Sequence, residues 1–459
     1  MDAQKKPGET SSIADLLSDY SAGRRTVSGS VAESLALAKR CQVDVRAFAE
    51  IDEDGALDAA SRSDHRYREG TAGLLEGVPV AVKDMIDTGD MPTRYGSPAY
   101  EGHQPDSDAF VVQVLRENGA VVVGKTTTHE FAWGVTTSSE ALGDTLNPYD
   151  HTKIPGGSSG GMAAAIACGA VRGGLGTDTG GSVRIPAALC GVVGFKPTFG
   201  FLSTNGVFPL AFSLDHVGIL ARSVEDVRLI SGAFGIARQA NAGRSRFRIG
   251  VIRDLGGVPM SAEVADLFTL ACGRLKQSFD LTEWPDENLF IGAFETFAGI
   301  VLVEGGVTHF GRNDVEFIQS RYGRETASRL KLAETVSLGE YAKWQQRRRE
   351  LARDLDSVMR TLDFLVLPTC PCTAPLIGED RIEIGSWSGT VRQALMTYTA
   401  PFNLAGLPAI SIPIGHAATD GMPVGLQVVA ARGCDAQLLE FAADIDPGAR
   451  KLADLEHRK

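Results

Sequence analysis

Residues 155–186 read PGGSSGGMAAAIACGAVRGGLGTDTGGSVRIP, and the rest of the chain is organised around them. They carry two glycine-flanked serines, Ser158 and Ser182. Between the serines, residues 162–171 (MAAAIACGAV) are small and apolar, which predicts a buried helix packed closely through alanine and glycine. Gly160 and Gly161 expose backbone N–H groups where that helix starts. Gly180 and Gly181 place bare backbone beside Ser182, so a substrate can approach without meeting a Cβ. Successive N–H groups of Thr179, Gly180, Gly181 and Ser182 can converge on one point, as a developing oxyanion requires. These features point to a nucleophilic serine outside the Ser-His-Asp plan.

Other readings of the glycines compete. A phosphate loop requires GxxxxGK[ST], and the string GAVVVGKT from Gly119 to Thr126 formally spells one. Its interior, residues 120–123, has the composition of a β-strand rather than of an open anion nest. Gly157-Ser158-Ser159-Gly160-Gly161 spells GxSxG, a nucleophile elbow centred on Ser159. An elbow follows a hydrophobic strand, whereas His151-Thr152-Lys153-Ile154-Pro155 is a polar, proline-ended lead-in.

With these blocks the chain resembles the amidase signature family, whose enzymes use a Ser–Ser–Lys triad. The resemblance implies a lysine at the end of a buried upstream strand, and residues 77–84 (GVPVAVKD) provide one. By position, Lys83 matches the family's base, Ser158 its bridging serine, held by a cis peptide bond, and Ser182 its nucleophile. Asp178 and Arg184 match the supporting residues around the nucleophile. GFKPT at 194–198, Ser213-Leu214-Asp215, PFNLAGLPAISIP at 401–413 and GMPVGLQ at 421–427 match further segments. HEFAWG at 129–134 follows the family's pattern, so Phe131 and Trp133 are expected at the substrate pocket. The resemblance covers residues 77–429 and is weakest over 241–361.

The bulk properties narrow the function classes. The formal net charge is −12, without long like-charge runs, which argues against nucleic-acid or anionic-membrane partners. No apolar run approaches the ~20 residues of a membrane helix, and residues 1–10 are polar rather than a signal peptide. Seven cysteines, an odd number without paired spacing, read as reduced thiols in a cytoplasmic protein. Eight histidines are scattered, and His129-Glu130 lacks the second histidine of HExxH, so neither a metal nor a cofactor is expected.

Residues 11–75 read as three helices wrapping the outside, with Ser28 or Ser30 capping the second. Residues 78–82 read as a buried strand, 108–118 as an amphipathic helix and 120–123 as another strand. Residues 262–279, 290–303 and 338–361 read as helices; residues 247–252, 363–368, 409–413 and 425–429 read as strands. The expected fold is α/β, a mixed, mostly parallel central sheet covered by helices on both faces. One domain is expected, comprising a helical wrap (1–75), a signature core (76–240), a variable helical region (241–361) and closing strands and helices (362–459). Phe199, Phe201, Phe208 and Phe212 lie in a long irregular loop expected to form an apolar, aromatic acyl or leaving-group pocket.

A serine–lysine pair sets the expected chemistry. Burial can lower a lysine's pKa by several units, so a neutral Lys83 can take a proton through Ser158 from Ser182. The expectation is a metal-independent hydrolase of small aryl or apolar amides and anilides, a monomer or homodimer acting on a small-molecule substrate. Carbamate hydrolysis by the same mechanism is one alternative. An amidotransferase-type or catalytically silent member of a multi-chain complex is the other.

Overall fold

The computed structural model describes residues 11–139, 142–236, 247–284 and 287–456. The polar segment 1–10 lies outside them. In chain order the strands are β1 (Phe48–Ile51), β2 (Pro79–Lys83), β3 (Val121–Thr126), β4 (Ser138–Ser139), β5 (Gly143–Asp144), β6 (Gly173–Thr177), β7 (Val193–Lys196) and β8 (Val217–Ala221). Then follow β9 (Arg248–Val251), β10 (Asp280–Glu283), β11 (Phe364–Pro368), β12 (Arg381–Ile384), β13 (Trp387–Thr390), β14 (Ala409–His416) and β15 (Pro423–Ala430). Eleven of them form one sheet in the order β1-β3-β2-β6-β8-β7-β14-β15-β11-β9-β10, while β4–β5 and β12–β13 pair separately.

The sheet is mixed, as expected, but it is not mostly parallel. Parallel ladders join β2 to β3 and β6, and β9 to β10 and β11. The six other ladders are antiparallel. A strand buried on both faces reads as a continuous apolar run in either direction, so composition does not report its orientation. Residues 417–422 between β14 and β15 are too few for a crossover, which needs a dozen or more.

Side-chain alternation sorts the strands' residues onto two helical layers. Val80, Val82, Leu175, Phe195, Ile219, Ile410 and Val428 share one core with residues of helices Phe110–Glu117, Ala262–Ser278 and Asp435–Glu456. On the opposite side, Ala81, Val121, Val123 and Leu220 meet helices Val27–Val45 and Gly160–Ala167. Leu365, Leu367, Ala409 and Val429 meet the helix Ala293–Phe310.

The N-terminal wrap consists of the three expected helices, Ile13–Ser21, Val27–Val45 and Glu53–Glu69. The second starts earlier than expected: Thr26 is its cap, accepting from Gly29 N–H, and Val27 is buried. β1, which sequence reasoning missed, lies between the last two helices and forms the sheet edge against β3. The GKT string lies within β3 rather than in a phosphate loop. One correction concerns the segment Asn288–Phe310, whose mean hydropathy of 1.6 makes it long and apolar enough to cross a membrane. Glu295 and Glu304 break the run for the eye but not for the average. Here the segment is more than half buried in the protein, with Phe297, Ile300 and Val301 in the core.

β6, with the sequence GGLGT, is where the fold makes room for chemistry. A Cβ added to Gly174 would lie 2.1 Å from the Ala81 carbonyl oxygen and 2.8 Å from Met162 Cε. One added to Gly176 would lie 2.8 Å from Ser159 Oγ. The missing side chains let helix Gly160–Ala167, and the serines before it, sit close against the sheet. Gly174→Ala is therefore expected to overpack this contact at a cost of about 1–3 kcal/mol. Urea unfolding should show a lower midpoint; an unchanged midpoint would contradict the close docking.

Candidate active site

Lys83 ends β2 and Thr177 ends β6, and the two strands run parallel with Val82 opposite Leu175. Both side chains therefore emerge at the C-terminal edge of the same ladder, where α/β sheets place their sites. Lys83 Nζ lies 2.7 Å from Ser158 Oγ and 2.7 Å from Thr177 Oγ1, and Lys83 and Ser158 are fully buried. The Gly157–Ser158 peptide bond is cis, as the family resemblance implies. Burial lowers the Lys83 pKa to about 7, against the opposing pull of Asp178 and Asp215. Asp84 turns to the other face, where its carboxylate accepts from Arg94 N–H (3.1 Å) and lies 3.8 Å from Lys125 Nζ.

Ser182 lies on the loop directly after β6 and is 3% exposed. Ser159 N–H donates to the Ser182 carbonyl (3.1 Å), which ties the two serine loops together. Ser159 Oγ, the elbow candidate, donates instead to the Thr177 carbonyl (3.2 Å). The expected set of N–H donors is narrowed in one respect. Gly181 N–H already donates to Asp178 Oδ1 (2.8 Å). Those of Thr179, Gly180 and Ser182 meet no acceptor among the described residues.

Asp178 and Arg184 hold this loop from below. Both are fully buried, and Arg184 grips the carboxylate with two N–H donors at 2.9 and 3.0 Å. Burial works against the charge of Asp178, but the guanidinium outweighs it and keeps the carboxyl well below the usual range. Val183 N–H and Asn403 Nδ2 also donate to Asp178. Arg184 donates further to Gln427 Oε1, Asn403 Oδ1 and the Thr399 carbonyl. On a second side, Thr179 Oγ1 donates to Asp215 (2.6 Å), which also accepts from Leu210 and Ala211 N–H. Burial nevertheless pushes Asp215 up to about 7.

Three of these contributors carry a sequence signal at the level of a segment rather than a residue. Asn403 and Gln427 lie in the two closing segments, and Asp215 in Ser-Leu-Asp. Sequence reasoning missed Thr177 outright, although its place at the end of a strand parallel to β2 was the available clue. Phe131 and Trp133 are buried, and Phe131 packs among Phe208, His309 and Tyr322. Trp133 stacks on His309. Of the four loop phenylalanines only Phe208 is buried; Phe199, Phe201 and Phe212 are exposed. The side chains against the nucleophile loop come from the variable region and the helix after β13. A Cβ at Gly180 would lie 2.3 Å from the Phe297 ring and 2.5 Å from Met396 Cε. Among the described residues, no group of three or more His, Cys, Asp or Glu side chains is placed to hold a metal ion.

The amidase family model matches residues 30–439, and the chain belongs to the amidase signature family. It is 36% identical over 432 residues to a glutamyl-tRNA(Gln) amidotransferase subunit of Methanococcoides burtonii, covering 85% of this chain and 87% of that protein. It is 35% identical over 415 residues to a 1-carboxybiuret hydrolase subunit of Pseudomonas sp. (strain ADP), covering 85% and 86%. A crystal structure of an amidase superposes with a TM-score of 0.89 at 33% identity, covering 95% of this chain and 100% of the other.

Removing one partner of a buried ion pair leaves an uncompensated charge, at a cost of about 3–5 kcal/mol. Asp178→Asn should therefore lower the midpoint of urea unfolding and, by releasing Gly181, the turnover rate. A variant with wild-type stability would mean that the pair does not anchor the loop.

Proposed function

We propose that this protein is a metal-independent serine hydrolase that cleaves the C–N bond of small amides with an aryl or apolar part through an acyl-enzyme on Ser182. The observation that carries this reading is a fully buried lysine, flanked by hydroxyls rather than carboxylates, beside a loop of open N–H groups. A general base works best with a pKa near the operating pH. Neutral Lys83 takes a proton from Ser182 by way of Ser158, and Ser182 Oγ attacks the amide carbon. The N–H groups of Thr179, Gly180 and Ser182 stabilise the oxyanion; one such donor contributes about 3–4 kcal/mol in comparable sites. Protonated Lys83 returns the proton through Ser158 to the departing amine. Water then cleaves the ester with the same groups in reversed roles.

Phe297 and Met396 beside Gly180 support the apolar preference. A carbamate offers the same acyl carbon and would be cleaved by the same steps. The identity to the glutamyl-tRNA(Gln) amidotransferase relative favours a second reading, in which the site releases ammonia from glutamine within a complex. Glutaminase activity of the isolated chain, measured beside a panel of amides, anilides and carbamates, separates the two. The cysteine pattern supports a cytoplasmic place for either.

Ser182→Ala should abolish turnover while the protein stays folded, and Ser159→Ala should retain it. The reverse result would restore the elbow reading. The pH dependence gives a second test. Lys83 acts only when neutral, so kcat/KM should rise with pH through a midpoint near 7. Asp215 raises the Lys83 pKa, so Asp215→Asn should keep the transition and move it to lower pH. Lys83→Met should lose most of the rate and the transition with it. If Asp215→Asn removes the transition and Lys83→Met keeps it, the titrating group is the aspartate.

A further inference from the structure

A guanidinium that shares a nearby acid, Glu325, with another arginine stands one helical turn from a side chain that packs on the nucleophile loop. Arg392 and Met396 lie four residues apart on the helix Val391–Thr397 and so project from the same face. Met396 packs against Gly180 together with Phe297. The Arg392 guanidinium carbon lies 6.0 Å from the centroid of the Phe294 ring. Phe294 and Phe297 lie three residues apart on the helix Ala293–Phe310 and also share a face. The two helices thus meet in two steps. Met396 and Phe297 are against Gly180, and Arg392 and Phe294 come about one turn earlier on their helices.

Among the described residues, no carboxylate or carbonyl accepts a hydrogen bond from Arg392. The acid that acts on it electrostatically, Glu325, is otherwise engaged: Arg329 bonds to one oxygen, and His129 Nε2 lies 3.2 Å from the other. Arg329 also donates, through its other terminal nitrogen, to the Trp133 carbonyl. Two guanidiniums therefore share one carboxylate, and the second keeps its donor fork open. Burial, reinforced by Arg329, pulls Arg392 down to about 9 against the attraction of Glu325, so it still carries its charge at neutral pH. A partly buried cation of this kind gains from an anion, and a planar fork matches a carboxylate bidentately. A phosphate dianion would call for more than one open cation. One guanidinium fits one carboxylate.

We infer that Arg392 binds a carboxylate of the substrate, and that the substrates are amides in which an apolar segment separates the scissile carbonyl from a carboxylate. The apolar segment lies along Phe297 and Met396, and the charge meets Arg392. This inference rests on the reading of Ser182 as nucleophile and narrows its substrate class.

Two matched probe pairs test it. In one, the carboxylate is in the acyl part: the monoamide of adipic acid against its isostere with isopropyl in place of carboxylate. In the other, it is in the amine part: N-acetyl-γ-aminobutyrate against its isopropyl isostere. For at least one pair the wild-type kcat/KM ratio, charged over neutral, should fall about ten- to a hundredfold in Arg392→Gln, the range of a charge-assisted hydrogen bond. Arg392→Lys should restore part of it, and thermal melting should show both variants folded. The same probes are titrated calorimetrically into Ser182→Ala and Ser182→Ala/Arg392→Gln. Discrimination in binding that depends on Arg392 would uphold the inference even if none of the probes is hydrolysed, a result that would count against the proposed chemistry alone. Ratios and affinities unchanged by Arg392→Gln in both pairs would overturn it.

Discussion

Everything at the candidate site depends on an amine held out of water between two hydroxyls. Lys83 Nζ touches Ser158 Oγ and Thr177 Oγ1 and, among the described residues, no carboxylate. Hydroxyls can exchange hydrogen bonds with an amine but bring no charge to stabilise ammonium, so desolvation wins. The geometry that makes this possible begins in β6. Its glycines allow the serine loop to approach the sheet, and its parallel register with β2 sets Thr177 beside Lys83.

Arg184 makes the contrast plain. It is buried as completely as Lys83, only a loop away, yet it grips Asp178 in a bidentate pair braced by Asn403 and Gln427. A guanidinium cannot be deprotonated under these conditions, so it serves where a fixed charge is wanted. The site divides its labour accordingly. One buried cation is paired within the loop that carries Ser182, and one buried amine has no carboxylate within hydrogen-bonding distance among the described residues. Asp178 takes the Gly181 N–H for the anchor, while the N–H groups of Thr179, Gly180 and Ser182 meet no acceptor among the described residues.

The sequence made the site more legible than the sheet. The glycine-flanked serines Ser158 and Ser182 stand out by composition, whereas Lys83, Asp178 and Arg184 are marked by the resemblance to the family. The structure brings them to one end of one ladder. Strand direction left no such mark, because β6, β7, β8 and β15 are buried on both faces whichever way they run. The pocket left still less. Phe131 and Trp133 sit in a buried aromatic cluster around His309. The side chains that a Cβ at Gly180 would meet, Phe297 and Met396, lie more than a hundred residues downstream, where no motif flags an apolar side chain as anything but core.

The most direct test of this account is the ionisation of Lys83 itself. With 13C-labelled lysine, the Lys83 Cε resonance can be assigned by its absence in Lys83→Met, which separates it from the other buried lysines, Lys125 and Lys196. The account predicts titration near pH 7 in the folded protein. Titration at or above the ordinary lysine value of about 10.4 would mean that Lys83 is charged when the enzyme works, and would contradict its role as the base.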